Sequence, residues 1–397
     1  MTKLERMIQE LSPNGIPYHF INEICKISRG RVMSKDYIRE NKGPYPVYSS
    51  QTENNGELGT IASYDFDGEF ITWTTDGANA GTVFYRNGKF SITNVCGLLE
   101  ICSSDLLAKF LYYVLIVEAP KYVNDGMGNP KLMSNVMSNI KIPVPPLPVQ
   151  REIVRILDNF TELTAELTAE LTARKQQYAY YRDKLLRFET TTSMQALGEV
   201  CSVESGGTPP KNNDSFWNRG TIRWLGSSVC QNKKTVSSAT DYITELGLAS
   251  SSAKMQKAGT TLVALVGATI GKVAFLPFEA AINQNIAGIY PKDTASLDPS
   301  YVYYACTALY PKFVALQKNS KLAMANISFV RGLKIPIPPI AVQKRLVDVL
   351  DNFDAICSDL NIGLPAEIEA RKKQYEFYRD KLLSFKEVST NEQWKEV

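Results

Sequence analysis

The side chains that most often carry out catalysis are few and scattered in this sequence. It contains a single histidine, His19, and seven cysteines that form no C-x-x-C pair. A histidine-based triad, an H-E-x-x-H protease and a zinc centre all need more histidines or closely spaced cysteines. No N-P-P-[FY] or D-P-P-Y loop of a methyltransferase is present. We therefore expect no catalytic residue, no metal site and reduced thiols in a cytoplasmic protein.

One glycine-rich segment, Gly267-Ala-Thr-Ile-Gly-Lys272, invites comparison with a phosphate-binding loop. Its spacing differs from G-x-x-x-x-G-K-[ST], and Val273 stands where that loop needs a hydroxyl group for Mg²⁺. The segment Gly77-Ala-Asn-Ala-Gly-Thr-Val83 has the same outline. We predict a tight turn between strands at both positions, and not a phosphate site.

Groups that could bind DNA are more numerous, and they divide unequally along the chain. Residues 1–144 carry 14 basic and 15 acidic residues, a net charge of −1. Residues 193–337 carry 14 basic and 8 acidic residues, a net charge of +6. The second block is therefore the one whose charge by itself suggests an anionic partner.

The predicted DNA contacts are basic, amide and hydroxyl side chains, because these groups bind base edges and phosphates. In the first block they are Arg29, Arg31, Lys35, Thr75, Asn79, Arg86, Lys131 and Asn135. In the second block they are Arg219, Arg223, Lys233, Lys234, Lys272 and Lys321. The alternative for any one of them is a solvated surface charge.

The elements that would position these groups are duplicated. Lys141-Ile-Pro-Val-Pro-Pro-Leu-Pro-Val-Gln150 matches Lys334-Ile-Pro-Ile-Pro-Pro-Ile-Ala-Val-Gln343, and Leu-Asp-Asn-Phe160 matches Leu-Asp-Asn-Phe353. Further on, Ala173–Leu186 matches Ala370–Leu383, with Tyr-Arg-Asp-Lys-Leu-Leu at both ends. Gene duplication is the plain interpretation.

Both copies have apolar residues at three- and four-residue steps, which predicts long amphipathic helices that start after the proline-rich runs. The first helix would run from about Val149 to Phe188, and the second would break at Gly363-Leu-Pro365. We expect the two helices to pack on each other as an antiparallel coiled coil. The packing residues would be Leu157, Phe160, Leu163, Leu167, Leu171, Leu350, Phe353, Ile356 and Leu360. The aromatic residues at the helix ends, Tyr178, Tyr180, Tyr181, Tyr375, Phe377 and Tyr378, are expected to pack between the helices or against a partner subunit, and not to stack on bases.

The expected fold is therefore α+β, with two globular domains joined by two long conserved helices and related by a pseudo-twofold axis. Strands are predicted at Glu69–Thr74 and Thr260–Val266, and helices at Leu106–Val117 and Tyr301–Leu316. No segment approaches the about 20 apolar residues that a membrane-spanning helix needs.

The paired I-P-x-P-P runs, L-D-N-F helices and Y-R-D-K-L-L ends resemble the specificity subunit of type I restriction-modification systems, over the whole chain. The resemblance implies a target-recognition domain at 1–143, a central conserved helix at 144–190, a second target-recognition domain at 191–336, a distal helical region at 337–388 and a tail at 389–397. The run Thr164-Ala-Glu-Leu-Thr-Ala-Glu-Leu171 resembles the spacer repeat of the type IC branch.

The resemblance also implies a non-catalytic protein in which each domain binds one half of a bipartite, asymmetric site in double-stranded DNA. The helices would set the spacer and dock two methyltransferase subunits, and restriction subunits would join through the complex. S-adenosylmethionine, ATP and Mg²⁺ would then be bound by those partners and not by this chain. The alternatives are a fused enzyme, which the missing motifs disfavour, and a coiled-coil scaffold without sequence preference, which would not need two divergent blocks.

Overall fold

The computed structural model of the chain describes residues 2–188, 192–318, 324–358 and 363–388. The chain divides into two units: unit 1 comprises Met1–Glu166 with Glu369–Val397, and unit 2 comprises Leu167–Ile368. Both units contain sheets and helices, which confirms the predicted α+β class. The division falls inside helices, so each of the two repeated helical blocks contributes residues to both units.

Unit 1 is built around a six-stranded sheet. Its elements before the long helix are α1 (Lys3–Leu11), β1 (Tyr18–Phe20), α2 (Ile21–Ile24), β2 (Cys25–Arg29), α3 (Lys35–Glu40), β3 (Tyr45–Tyr48), β4 (Glu57–Ile61), β5 (Phe66–Thr74), β6 (Val83–Ile92), β7 (Cys96–Ile101), α4 (Ala108–Glu118), α5 (Ser134–Met137) and β8 (Lys141–Pro143). The strand order is β2-β7-β5-β6-β3-β4, and β1 pairs separately with β8. Strand β5 and helix α4 lie where the apolar runs predicted them.

A tryptophan holds the centre of this sheet. Trp73 on β5 is fully buried, and its indole N–H donates to the Leu132 carbonyl oxygen at 2.9 Å. On the neighbouring strand β7, a Cβ atom at Gly97 would lie 2.1 Å from the Trp73 ring. The close approach of ring and strand therefore requires glycine at position 97.

The long helix α6 (Leu147–Leu185) follows, and unit 2 then adds two sheets. Its elements are β9 (Met194–Ala196), α7 (Leu197–Val200), β10 (Cys201–Ser205), β11 (Ile222–Leu225), β12 (Lys233–Thr235), β13 (Asp241–Ile243), α8 (Glu245–Ala249), β14 (Lys254–Gln256), β15 (Thr261–Ala264), β16 (Val273–Phe275), β17 (Ala280–Ile282), β18 (Ile286–Pro291), α9 (Pro299–Thr307), α10 (Tyr310–Lys318), α11 (Ile327–Gly332), β19 (Lys334–Pro336) and α12 (Ile340–Ser358). The last helix, α13 (Leu364–Leu382), begins in unit 2 and belongs to unit 1 from Glu369 onward. The sheet orders are β10-β18-β15-β16-β12 and β13-β11-β17-β14, and β19 pairs with β9.

The predicted strand at 260–266 is β15, but the helix predicted over Tyr301–Leu316 is two helices, α9 and α10. Pro311 is the second residue of α10. A proline lacks the N–H that a continuing helix would use, and it suits the first turn of a new one. The predicted break in the second helical block is confirmed, because α12 and α13 are separate and Pro365 lies in the first turn of α13.

A buried glutamine anchors the first turn of each repeated helix. Gln150 accepts a hydrogen bond from the Leu107 N–H at 2.9 Å and donates to the carbonyl oxygens of Asp105 and Pro145 at 2.6 and 2.7 Å. Gln343 makes the same three bonds, with the Asp298 N–H and with the carbonyl oxygens of Ser296 and Pro338. Both side chains are fully buried.

The repeated L-D-N-F motif ties each helix to the sheet-rich part of its unit. Leu157 and Leu350 are fully buried in the cores of units 1 and 2. Asp158 accepts hydrogen bonds from the Tyr113 hydroxyl at 2.7 Å and the Lys109 ammonium at 2.6 Å. Asp351 accepts from the Tyr304 hydroxyl and the Lys234 ammonium. Burial and these carboxylates raise the pKa of both tyrosines.

The phenylalanine of each L-D-N-F motif packs on the tyrosine-rich end of the other copy. In unit 1, Phe160 of α6 stacks on Tyr378 of α13, with ring centroids 5.7 Å apart and an interplanar angle of 23°. In unit 2, Phe353 of α12 stacks on Tyr181 of α6, with values of 6.1 Å and 23°. Each unit therefore combines helix segments from both copies. The expected packing between helices is confirmed for Tyr181 and Tyr378, whereas Tyr180 and Phe377 are 62% and 64% exposed.

The remaining predicted packing residues are less uniform. Leu163, Leu167 and Leu171 on α6 are half-buried. Ile356 on α12 is 46% exposed, so it does not lie in a packed seam, and Leu360 is outside the described residues. Within the described ranges, no helix is long and apolar enough to cross a membrane.

Candidate nucleic-acid interface

The two glycine-rich segments form the same tight turn in their respective units. In unit 1 the Ala80 N–H donates to the Gly77 carbonyl and the Gly81 N–H to the Thr74 carbonyl, both at 2.9 Å. In unit 2 the Ile270 N–H donates to Gly267 at 3.1 Å and the Gly271 N–H to Ala264 at 2.8 Å. The prediction of a shared tight turn between strands is confirmed.

The conformation of both turns explains their glycines. Gly77 and Gly81 have φ angles of +90° and +83°, and Gly267 and Gly271 have +70° and +75°. This left-handed region strongly favours glycine. No atom lies within 4 Å of a Cβ built at Gly77 or Gly267, so the first glycine of each turn faces open space.

Exposed polar groups surround the turn of unit 1. Arg29, at the end of β2, donates through Nη2 to the Asn94 carbonyl at 2.6 Å and to the Thr75 hydroxyl at 3.0 Å. The Asn129 side-chain oxygen accepts from the Gly77 N–H at 3.1 Å, and the backbone of Lys131 pairs with that of Asp76 in an isolated antiparallel β-bridge. We call this set the first polar edge: Arg29, Asn79, Asn94, Asn129 and Lys131.

The turn of unit 2 has the same backbone surroundings. The Leu265 N–H donates to the Asn285 carbonyl at 2.9 Å, as the Thr75 N–H donates to Val95 at 3.1 Å. The Ala325 N–H donates to the Leu265 carbonyl at 2.8 Å, as Leu132 does to Thr75 at 2.9 Å.

The side chains at equivalent places differ. Gln284 replaces Asn94 and accepts from the Thr208 hydroxyl at 2.7 Å, while Thr269 and Lys272 replace Asn79 and Thr82. We call Thr208, Thr269, Lys272 and Gln284 the second polar edge.

Three of the predicted DNA contacts have internal roles instead. Arg86 is only 3% exposed, and its guanidinium lies 3.5 Å from the Tyr48 ring centroid and donates to the Asn55 carbonyl at 2.9 Å. Burial lowers the pKa of Arg86. Thr75 is fully buried, and its hydroxyl donates to the Val95 carbonyl. Both side chains are therefore shielded from solvent.

Lys234 is the third of these residues. Its side chain is 16% exposed, and it forms an ion pair with Asp351 of helix α12. The Tyr304 ring centroid lies 5.1 Å from its ammonium. Lys234 therefore links strand β12 to helix α12 through this ion pair, and its charge has its partner inside unit 2.

The other predicted contacts are distributed over the surfaces of the two units. Arg31 is exposed but forms an ion pair with Asp65 at 3.1 Å, and the hydrogen bonds that its guanidinium donates to Tyr37 and Asp65 raise its pKa. Arg223 is exposed and lies 4.6 Å from the Phe278 ring centroid. Lys35, Asn135 and Arg219 are also exposed on the surfaces of their units. Lys233 lies on β12, and Lys321 is outside the described residues.

Five residues of the polar edges were not predicted: Asn94, Asn129, Thr208, Thr269 and Gln284. Thr269 stands at the place that the predicted Asn79 has in the other turn. A signal for two of them was present in the sequence. Asn94 follows Gly77 by the same 17 positions (94 − 77) that separate Gln284 from Gly267 (284 − 267). Because the two turns are equivalent, the residue at that fixed distance occupies the same place in each unit. Nothing comparable marks Asn129 or Thr208.

Metal binding and thiol reactivity depend on the histidine, cysteine and carboxylate side chains of the described ranges. No group of three or more histidine, cysteine, aspartate or glutamate side chains there could hold a metal ion. The buried cysteines include Cys25, Cys96, Cys201 and Cys230, and burial raises the pKa of each of these thiols to about 12. Such thiols are protonated and unreactive at neutral pH.

Sequence comparison with known proteins identifies a family that covers both copies of the repeat. The family model described as "Type I restriction modification DNA specificity domain" matches residues 15–174 and 191–370, one match for each copy of the repeat. The specificity subunit of the EcoR124I/EcoR124II type I restriction enzyme of Escherichia coli is 38% identical over 412 residues, covering 98% of each chain. A type I specificity subunit of Mycoplasma pneumoniae is 33% identical over 370 residues, covering 92% of this chain and 96% of the relative.

Solved structures share the fold. The crystal structure of a type I restriction-modification S subunit from M. genitalium matches with a TM-score of 0.58 at 14% identity, covering 93% of this chain and 96% of that one. A chain from a study of complex assembly and conformational transition in a type I system matches with a TM-score of 0.63 at 16% identity, covering 93% and 97%. Two repeats, two family matches and relatives along the full length lead to one conclusion: this chain belongs to the family of type I restriction-modification DNA specificity subunits.

Proposed function

We propose that the two units bind the two halves of a split, asymmetric site in double-stranded DNA, each through its polar edge. The observation that carries this proposal is that the two edges share one backbone framework and differ in side chains. Asparagine and arginine in the first edge and glutamine, threonine and lysine in the second edge are groups that distinguish base edges in the major groove. Equal frameworks with different side chains suit two different half-sites.

The chain itself is non-catalytic in this proposal. Two methyltransferase subunits dock on the repeated helices and bring S-adenosylmethionine, and restriction subunits that use ATP and Mg²⁺ join through the complex. The duplicated L-D-N-F and tyrosine contacts support two related docking positions, because each unit builds the same helix pair. A purified chain that transferred methyl groups without partners would contradict this part of the proposal.

The Thr-Ala-Glu-Leu repeats act as the spacer between the half-sites. They lie within the continuous helix α6, and the boundary between the two units falls inside them, after Glu166. One repeat adds four residues, about 6 Å of helix with about 40° of rotation beyond a full turn. That length corresponds to about one or two base pairs, and so small a rotation preserves the apolar stripe.

The half-site assignment is tested by methylome sequencing of cells that express the chain with its methyltransferase partner. The wild-type chain should direct methylation to one bipartite motif. Arg29→Ala should weaken or relax only one half of that motif and Gln284→Ala only the other, each by about tenfold at the affected positions, because a good base contact discriminates by about 1–3 kcal/mol.

Lys26→Ala is the matched control, since Lys26 is exposed on the same strand as Arg29 and pairs with Glu100 instead of the first polar edge. It should leave both half-sites unchanged. If both substitutions altered the same half-site, or if neither altered the motif, the assignment of one half to each edge would be wrong. A scaffold without sequence preference would give no bipartite motif even with the wild-type chain.

A further inference from the structure

The two copies of the repeated helix differ in what covers their equivalent faces. Positions 149, 152 and 156 of α6 correspond to positions 342, 345 and 349 of α12, since the copies are 193 residues apart. Val149 is fully buried, whereas Val342 is 42% exposed. The same apolar position is therefore covered in unit 1 and open in unit 2.

Helix α1 supplies the cover in unit 1. Its Leu4 is buried in the same core cluster as Val149. Its Lys3 forms an ion pair with Glu152 of α6, with 3.4 Å between Nζ and Oε2. Helix α1 is strongly amphipathic, and a Thr2–Glu5 capping box fixes its start. The segment thus shows what kind of structure fits this face: a short amphipathic helix.

Unit 2 has no counterpart of α1 among residues 192–318 and 324–358. Its α12 consequently presents an apolar stripe with a seven-residue spacing: Val342, Val349 and Ile356, which are 42%, 37% and 46% exposed. A seven-residue spacing places the three side chains on one face of the helix, which is the arrangement that packs against another helix.

The charge beside the stripe is reversed relative to unit 1. Glu152 of α6, which pairs with Lys3, is replaced by the exposed Arg345 at the equivalent position of α12. If α1 of a second chain docked on this stripe in the same way, its Lys3 would lie next to Arg345, and the two positive charges would repel each other. A helix with an acidic residue at the corresponding place would instead form the ion pair.

We propose that the stripe Val342–Val349–Ile356 docks an amphipathic helix of a methyltransferase subunit, with an acidic side chain of that helix facing Arg345. This rests on the proposed function, and it adds that the two docking positions are unequal: the intramolecular helix α1 already occupies the equivalent face of unit 1. One partner subunit therefore gains a helix contact that the other lacks.

The test is to measure methyltransferase binding to the full chain by mass photometry as a function of concentration. The wild-type chain should bind two subunits with different affinities. The triple variant Val342→Ser, Val349→Ser, Ile356→Ser should weaken only the binding of the more tightly bound subunit, by at least about tenfold, because it removes three apolar side chains from the contact. Lys344→Ser with Asp348→Ser, on the exposed polar side of α12, is the matched control and should bind like the wild type.

Arg345→Glu distinguishes the possible occupants, because it should weaken methyltransferase binding. A photoreactive residue at position 349 would identify the partner helix by cross-linking. Replacing the acidic residue of that helix by lysine should then restore binding to the Arg345→Glu variant. If Arg345→Glu instead strengthened self-association of the chain, α1 of a second copy would be the occupant and the proposal would be wrong. Unchanged affinity in the triple variant would also refute it.

Failure of the docking proposal is separable from failure of the proposed function. If the triple variant assembles normally and still directs methylation to a bipartite motif, only the docking inference falls. If the wild-type complex assembles in two unequal steps but methylates no bipartite motif, the docking inference stands and the assignment of the half-sites falls.

Discussion

At the scale of single residues, the two copies are held to their units by polar groups that are buried and fully partnered. Gln150 and Gln343 each join a helix start to two carbonyl oxygens and one N–H group. Buried polar groups of this kind cost more when one partner is removed than they contribute when intact, because the remaining groups lose water and gain nothing. These hydrogen bonds explain why both copies of the repeat have a glutamine at this position.

Substitution of either glutamine tests this role. Gln150→Ala or Gln343→Ala should lower the free energy of unfolding of the affected unit by about 2–4 kcal/mol, since two carbonyl oxygens and an N–H lose their partner. Gln176→Ala on the exposed side of α6 should change it by less than about 0.5 kcal/mol. Urea denaturation followed by tryptophan fluorescence in the full chain provides the comparison. Equal stability of the buried and exposed variants would show that the anchors do not matter.

Residue-scale inference from sequence was weakest for the DNA contacts. Arg86 and Lys234 were predicted to contact DNA, yet both charges have partners inside their units: an aromatic ring and a carbonyl oxygen for Arg86, and Asp351 for Lys234. Burial of a long basic side chain depends on which strands pair, and strand pairing is non-local. Asn94 and Gln284 could have been found, since their distance from the turn glycines is the same in both copies.

At the scale of elements, the main feature is that each helix pair is assembled from opposite copies. Phe160 of the first copy stacks on Tyr378 of the second, and Phe353 of the second stacks on Tyr181 of the first. The near-identity of the two sequence segments follows, because each copy supplies the phenylalanine of one helix pair and the tyrosine of the other.

A double-mutant cycle measures this contact. Phe160→Leu and Tyr378→Leu should each destabilise unit 1, and the double variant should be less destabilised than the sum of the two, with a coupling of about 0.5–1.5 kcal/mol, as found for stacked aromatic pairs. Phe160→Leu combined with Tyr180→Leu is a suitable control, since Tyr180 is 62% exposed. A coupling of zero between Phe160 and Tyr378 would mean that the stacking has no energetic role.

Elements with a strong local pattern were predicted well from the sequence. The apolar period predicted α6, the segment Gly363-Leu-Pro365 predicted the break before α13, and the glycine spacing predicted both tight turns. The prediction of a single helix over 301–316 was wrong, because the apolar pattern continues across Pro311 whereas the helix ends at Thr307 and a new one begins at Tyr310. Sheet order could not be predicted, because residues far apart in the chain meet there, as when Tyr18 pairs with Pro143.

At the scale of the whole molecule, the proposed function rests on the departures from duplication. The Thr-Ala-Glu-Leu run occurs only in the first helix, helix α1 covers only the first copy, and the two polar edges carry different side chains. A duplicated frame with unlike edges fits a DNA site with two different halves. A spacer inside one continuous helix fits a gap of defined length between them.

The most direct test of this account is to delete one repeat, Thr168–Leu171, and to map methylated sites in cells that express the variant with its methyltransferase partner. We expect both half-site sequences to be retained and the gap between them to shorten by about one or two base pairs, since four helical residues span about 6 Å. A duplication of the same repeat should lengthen the gap by the same amount. A changed half-site with an unchanged gap would contradict the account.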